Sequence, residues 1–225
     1  MLVVVVDTST PAVTAALAEI SGDGVTVLAE RATVDGRAHG EILAPQLSAC
    51  LTSAGVTMSQ VGAVVAGVGP GPFTGLRVGL VTAASVAQSL GVPTYGVVSL
   101  DGLGAAAPAP EPTLVATDAR RKEIYWAVYL DGVRLTDPAV GRPADVVAGL
   151  PAEGGPVRAL GDGAIRYADV LGLPVADEPR YPVVSVLATL AAPRVLVGAP
   201  SEPLTPLYLR RPDAAEPHAR KPVLT

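Results

Sequence analysis

Gly67-Val68-Gly69-Pro70-Gly71-Pro72-Phe73-Thr74-Gly75-Leu76-Arg77-Val78-Gly79-Leu80 decides how this chain is read. An apolar run, Val61 to Val68, leads into it, and a small-residue segment, Leu76 to Leu90, leaves it. The pattern predicts strand, tight loop, helix. Glycines supply backbone conformations closed to other residues, and prolines fix φ, so the loop has one defined shape. Thr74 is placed to cap the helix, with Arg77 in its first turn. A cation there opposes the helix dipole, so Arg77 needs an anionic or carboxylate partner; Glu41 is the expected one. A phosphate-binding reading is testable by spacing. A Walker A loop needs Lys after its last glycine, and Leu76 follows Gly75. A dinucleotide fingerprint needs glycine where Pro72 or Thr74 stands. Neither loop is present, and a rigid structural turn remains.

Working outward, Leu2 to Val6 is a β-branched run suited to a strand buried on both faces, ending in Asp7-Thr8-Ser9-Thr10. Ala12–Ile20 and Val25–Val34 read as strands joined through an Asp-Gly hairpin signal. His39–Ala54 reads as a helix closed by Gly55, with Leu43, Leu47 and Leu51 on one face and Pro45 as its awkward residue. In the helix Thr74–Leu90, Gly75, Gly79, Ala83 and Ala87 form a small-residue stripe that admits close approach, either of a partner helix or of this chain's own first helix. Strand Val92–Val98 and helix Ser99–Ala107 follow. The Pro-rich stretch Ala107–Pro112 marks a boundary. Beyond it come strand Leu114–Thr117, the basic turn Asp118-Ala119-Arg120-Arg121-Lys122, and strand Glu123–Leu130. Helices at Arg142–Leu150, Ala164–Leu171 and Val183–Ala192, a strand at Val157–Leu160 and an extended piece at Leu204–Leu209 complete the pattern. The expected units are 1–106, 107–211 and a disordered tail 212–225 that contains His218.

Composition narrows the function. Of 225 residues 49% are hydrophobic, enough for a sizeable core, and the net charge is −5, which opposes a broad basic nucleic-acid surface while leaving room for a local patch. Cys50 stands alone, so neither an intramolecular disulfide nor a cysteine metal cluster can form. Met1 to Val6 is apolar with no basic n-region and breaks at Asp7, and no apolar run approaches the ~18 residues of a membrane span, so a cytoplasmic protein is expected. The catalytic inventory is thin: two histidines, His39 and His218, and no nucleophile–His–acid set.

Taken together, several of these stretches resemble one family. They are Leu2–Thr10, His39-Gly40-Glu41-Ile42-Leu43-Ala44-Pro45, the Gly67–Arg77 loop, Asp118-Ala119-Arg120-Arg121 before Ile124-Tyr125-Trp126-Ala127, and Pro206-Leu207-Tyr208-Leu209-Arg210. The chain resembles the bacterial TsaB (YeaZ) family from its start to about Arg210. The resemblance implies an α/β, two-lobed actin-like/sugar-kinase-like (ASKHA, ribonuclease H-like) fold with mixed sheets flanked by helices. It implies a non-catalytic subunit that pairs with a TsaD-like catalytic paralogue and a TsaE-like ATPase to place threonylcarbamoyl on a tRNA adenosine. It further implies a homodimer as an alternative assembly, tRNA contact through the complex, and no membrane. No cofactor is expected on this chain alone, while the complex would use ATP and threonylcarbamoyl-adenylate. The implied partner surface is His39, Glu41, Leu43, Leu47, Phe73, Thr74, Arg77, Gly79, Ala83 and Ala87. Asp7, Thr8 and Ser9, with Asp118, Arg120 and Arg121, would be vestigial nucleotide-type turns, because they lack the glycines that bring backbone to phosphate. Leu43 stands one turn after His39 where a second metal-binding histidine would be needed, so no metal is expected. Two other readings compete: a small-molecule kinase or acyl transferase using Asp7, and a peptidase.

Overall fold

A computed structural model describes residues 1–210. The expected disorder of 212–225 and His218 lie outside these residues. The first sheet is built from β1 (Leu2–Asp7), β2 (Ala12–Ser21), β3 (Gly24–Val34), β4 (Ala63–Gly67) and β5 (Thr94–Val97). Its order is β3-β2-β1-β4-β5: the first three strands run antiparallel, and β4 and β5 lie parallel to β1. Parallel pairing needs crossovers. These are α1 (His39–Ala54), with a 3-10 turn at Met58–Gln60, and α2 (Phe73–Leu90).

The second sheet repeats the scheme at smaller size. After α3 (Ser99–Gly104) come β6 (Thr113–Asp118), β7 (Ile124–Leu130), β8 (Val133–Arg134), β9 (Ala139–Gly141), α4 (Pro143–Gly149), β10 (Arg158–Leu160), α5 (Asp162–Arg166) and α6 (Ala168–Leu171). β6 pairs antiparallel with β7 and parallel with β10, as β1 does with β2 and β4. Two mixed sheets of this kind, flanked by helices, are the actin-like, ribonuclease H-like fold expected from the sequence. The single helix expected over Ala164–Leu171 is instead two short ones, because the chain bends at Tyr167, with φ −119° and ψ 25°.

Alternation along the strands sends side chains to opposite faces. Val4, Val6, Leu17 and Val64 meet Leu43, Leu47 and Cys50 of α1 and Leu76, Leu80, Ala83 and Ala87 of α2. Val3, Val5, Ile20, Val65 and Tyr95 meet α7 (Val184–Leu196) through Leu187, Ala188, Ala191 and Val195. The expected division at 106/107 therefore does not follow α7, which comes after the second lobe in sequence but packs on the first sheet. Conversely α3, which leaves the first lobe, covers the second sheet: Leu100 and Leu103 lie against Val115, Ala127 and Leu160. α3 and α7 touch where Gly102 lets Leu187 in. Helix α7 runs four residues past its expected end and accommodates Pro193.

Candidate functional site

The first turn is closed by its own hydrogen bonds. Asp7 is 1% exposed. Its Oδ1 accepts from the Ser9 amide (2.9 Å) and hydroxyl (2.7 Å), and its Oδ2 accepts from Ser99 Oγ (2.5 Å). Ser99 Oγ in turn accepts the Gly69 amide at 3.1 Å. Burial pushes the Asp7 pKa up, and the Ser99 and Ser9 bonds pull against it. Thr8 Oγ1 donates to the Gly75 carbonyl (2.8 Å) and accepts the Gly79 amide (3.0 Å), a pair that a regular α-helix joins directly. Thr10 offers its carbonyl to His39 Nε2 at 2.8 Å. A carbonyl only accepts, so this ring nitrogen carries the proton.

These contacts explain the glycines of the central stretch. A Cβ at Gly67 would collide with the Asp7 carboxylate, one at Gly71 with the Ser9 backbone, and one at Gly79 with the Thr8 hydroxyl. At Gly75 it would press on the Thr8 carbonyl at 3.0 Å and the His39 ring. Four glycines at four-residue spacing thus let strand, loop and helix lie against Asp7–Thr10. Thr74 does not cap: Pro72 is the N-cap and Phe73 the first helical residue.

Arg77 does not pair with Glu41. Its guanidinium stacks 3.6 Å above the Phe73 ring centroid, and its Nε donates to Tyr208 Oη at 2.9 Å. The Phe73 and Tyr208 rings stack 5.0 Å apart. The π faces answer the cation that the helix N-terminus disfavours.

The second turn is built differently. Arg120, Arg121 and Lys122 hold φ of 60°, 53° and 64°, three successive non-glycine residues in the left-handed region. Each such residue costs about 1–2 kcal/mol. Asp118 Oδ1 accepts the Arg120 amide (3.3 Å) and Tyr167 Oη (3.5 Å), and Arg166 approaches its Oδ2 at 3.5 Å. Arg210 braces the turn: it donates to the Ala119 carbonyl at 3.0 Å and forms an ion pair with Glu123. Asp162 Oδ1 accepts the Asp118 amide at 3.2 Å. Burial and the Asp118 carboxylate push Asp162 up to about 6. A Cβ at Gly161 would strike the Ala116 carbonyl, and one at Gly163 would crowd the Thr117 and Asp118 backbone.

The two turns face each other across a cleft of about 770 Å³. Two side chains of the second lobe cross it. Arg120 donates to the Gly36 carbonyl (3.4 Å) and Tyr125 Oη to the Gly71 carbonyl (3.4 Å).

The expected site residues therefore separate. Asp7, Thr8, Ser9, Asp118, Arg120 and Arg121 sit at the two turns, as their places in the sequence require. Glu41, Phe73, Thr74 and Arg77 are exposed. His39, Leu43, Leu47, Gly79, Ala83 and Ala87 are buried, and the four apolar side chains among them belong to the first lobe's own core. As members of a partner surface these six are corrected: the stripe serves packing within the lobe. Ser99, Tyr208 and Arg210 as a capping, a stacking and a bracing residue went unread, because each acts at a distance of 87 to 131 positions or so along the chain. The Gly161-Asp162-Gly163 signal was available: it stands at the end of β10 as Gly67-Val68-Gly69 stands at the end of β4. Among the described residues no three His, Cys, Asp or Glu side chains are grouped to hold a metal, and no helix is long and apolar enough to cross a membrane.

Comparison with known proteins adds to this geometry. The family model described as "TsaD: tRNA N6-adenosine threonylcarbamoyltransferase" matches residues 26–189. Uncharacterized proteins of Mycobacterium leprae and Mycobacterium tuberculosis are 47% and 46% identical over 215 and 212 residues. The chain spans 56% of the first and 93% of the second. The Escherichia coli tRNA threonylcarbamoyladenosine biosynthesis protein TsaB is 34% identical over 96 residues, 41% of this chain and 42% of that one. The solved structure of YeaZ from Pseudomonas aeruginosa superposes with a TM-score of 0.74 at 27% identity, covering 92% of this chain and 99% of that one.

Proposed function

Because the chain belongs to the TsaD/YeaZ family, we propose that it is the non-catalytic subunit of a complex that transfers threonylcarbamoyl to tRNA adenosine, where it binds and activates a TsaD-like catalytic paralogue. The carrying observation is the closure of the first turn. A carboxylate that acts on a ligand between the turns needs an oxygen open to the cleft. Here both Asp7 oxygens are taken by Ser9 and Ser99, and Gly67 lies tight against the carboxyl. Arg120 lies across the space between the turns. His39 spends its Nε2 proton on Thr10, and the position one turn later is the buried Leu43. This arrangement suits a scaffold better than a kinase, an acyl transferase or a peptidase.

The partner surface is then the outer face of α1 and α2. Glu41, Ala44, Pro45 and Ser48 of α1 are exposed, as are Arg77, Val81, Ala84 and Ser85 of α2. Small side chains there permit close helix approach. A second copy of this chain could use the same face. A TsaE-like ATPase, ATP and threonylcarbamoyl-adenylate belong to the complex, which works in the cytoplasm.

Reconstitution tests this. Purified catalytic paralogue and ATPase are assayed for threonylcarbamoyl transfer to tRNA with and without the chain. Transfer is expected to depend on it; equal transfer in both samples refutes the reading.

A further inference from the structure

A second groove, of about 700 Å³, opens beside the cleft between the β3–α1 loop and the second turn. Arg37, Arg120, Arg121, Lys122 and Arg166 line it, and all five are exposed. Two carboxylates line it too, and both are engaged. Asp35 Oδ1 accepts the Arg37 amide at 2.9 Å, and Asp118 holds the Arg120 amide, Tyr167 and Arg166. Among the described residues Arg37 and Lys122 hold no carboxylate partner. Five of the chain's 16 Lys and Arg residues thus gather on one groove of a protein whose net charge is −5.

We infer that this groove binds the phosphodiester backbone of RNA. The inference rests on the functional reading above, which makes tRNA the nucleic acid at hand. Three observations carry it. The cations are exposed and strung along an open groove, which suits an extended polyanion rather than a small phosphate ligand enclosed by convergent donors. Among the described residues Tyr167 is the one aromatic residue lining it, so stacking on bases has little to work with, and backbone contact is the remaining mode. The left-handed backbone of Arg120–Lys122 is strained, and turn chemistry would place Gly, Asn or Asp there. Strain held at three cations in succession points to a use for their charge.

The test uses the full chain in complex with its catalytic paralogue and a labelled tRNA, with binding followed by anisotropy across a salt series. The variant pair Arg37→Gln and Lys122→Gly removes two charges, and glycine relieves the strain at position 122. Affinity is expected to fall about tenfold at moderate salt, and the slope of log affinity against log salt to drop by about two. Lys122→Arg should bind like the wild type. The thermal midpoint of the pair should match or exceed the wild type's, which separates lost charge from lost folding. Affinity within twofold of wild type with an unchanged slope overturns the inference, as does equal competition by polyglutamate, which would make this a site for acidic protein. Transfer activity in the same samples keeps the two readings apart. Activation by the wild-type chain with no change in RNA binding by the variant sinks only the groove. Loss of RNA binding by the variant with no activation by the wild type sinks only the scaffold role.

Discussion

At the scale of single residues, Thr8 shows how much one hydroxyl can organise. It donates to the Gly75 carbonyl and accepts the Gly79 amide, so one side chain serves two backbone groups of α2. Thr8→Val keeps the bulk and removes the bonds, so both groups are left unpaired in a dry place. We expect a loss of about 3 kcal/mol, since each buried unsatisfied group costs about 1–3 kcal/mol. Thr8→Ala should cost less, about 1–2 kcal/mol, because the smaller side chain lets the helix join its own groups. Urea unfolding of the two variants decides it; an alanine variant less stable than the valine one would contradict this account. Asp162 predicts a pH effect. Its folded pKa, pushed up to about 6, lies above the ordinary 3.8 of an unfolded Asp. Between those values the folded state holds the extra proton, so this group's contribution to stability falls as pH rises from about 4 to 6, then levels. Asp162→Asn lacks that fall. Its advantage over wild type should grow across the same window to at most about 3 kcal/mol, read as the difference in urea midpoints at each pH. A constant difference from pH 4 to 7 would show that Asp162 titrates normally.

At the scale of elements, α2 separates what its sequence showed from what it hid. Its existence, its glycines and its start within one residue were legible, because Gly/Pro punctuation and apolar period are local signals. So were β1 to β4 and the turn at Asp118. The use of the Gly75–Ala87 stripe was not. Small residues admit a helix from the same chain or from another, and only the sheet's position decides. Its neighbour proves to be this chain's own Thr8 and its own core. Arg77 was misassigned to Glu41 for a related reason: Tyr208 lies 131 positions away, and no local pattern joins them. β8 and β9 were missed because two- and three-residue strands are recruited by β7 rather than by their own propensity. The element makes its own prediction. Ala83 is 1% exposed and Val81 63%. Ala83→Glu should unfold the first lobe by burying an unpaired charge. Val81→Arg should fold with a thermal midpoint close to wild type yet lose pairing with the catalytic paralogue, as followed by size-exclusion chromatography. Full pairing by Val81→Arg would move the interface off this face of α2.

At the scale of the whole molecule, the two lobes are not separate bodies joined by a linker. Tyr129 of β7 donates to Asp101 of α3 at 2.7 Å, and its ring fills the space left at Gly104. Arg194 of α7 pairs with Glu202, whose segment runs along β5 towards the Arg210 brace on the second turn. Cooperative unfolding follows. Leu187→Ala, in the core of the first lobe, should cost about 2–5 kcal/mol and shift the whole transition. Trp126, the chain's single tryptophan, reports from the second sheet. Its fluorescence midpoint should move as far as the far-UV circular dichroism midpoint; a tryptophan signal left in place would show that the lobes melt apart. The exchange of helices also sets an order of events during synthesis. The last strand of the first sheet ends at Val97, but the helix that covers its second face is complete only at Leu196. A ribosome adding about 5–20 residues per second needs roughly 5 to 20 seconds to cover that interval. For that time Val3, Val5, Ile20, Val65 and Tyr95 have no cover from the chain itself. The nascent first lobe is therefore a client for whatever shields apolar surface at the ribosome, and it is released from that need by a helix made after the whole second sheet.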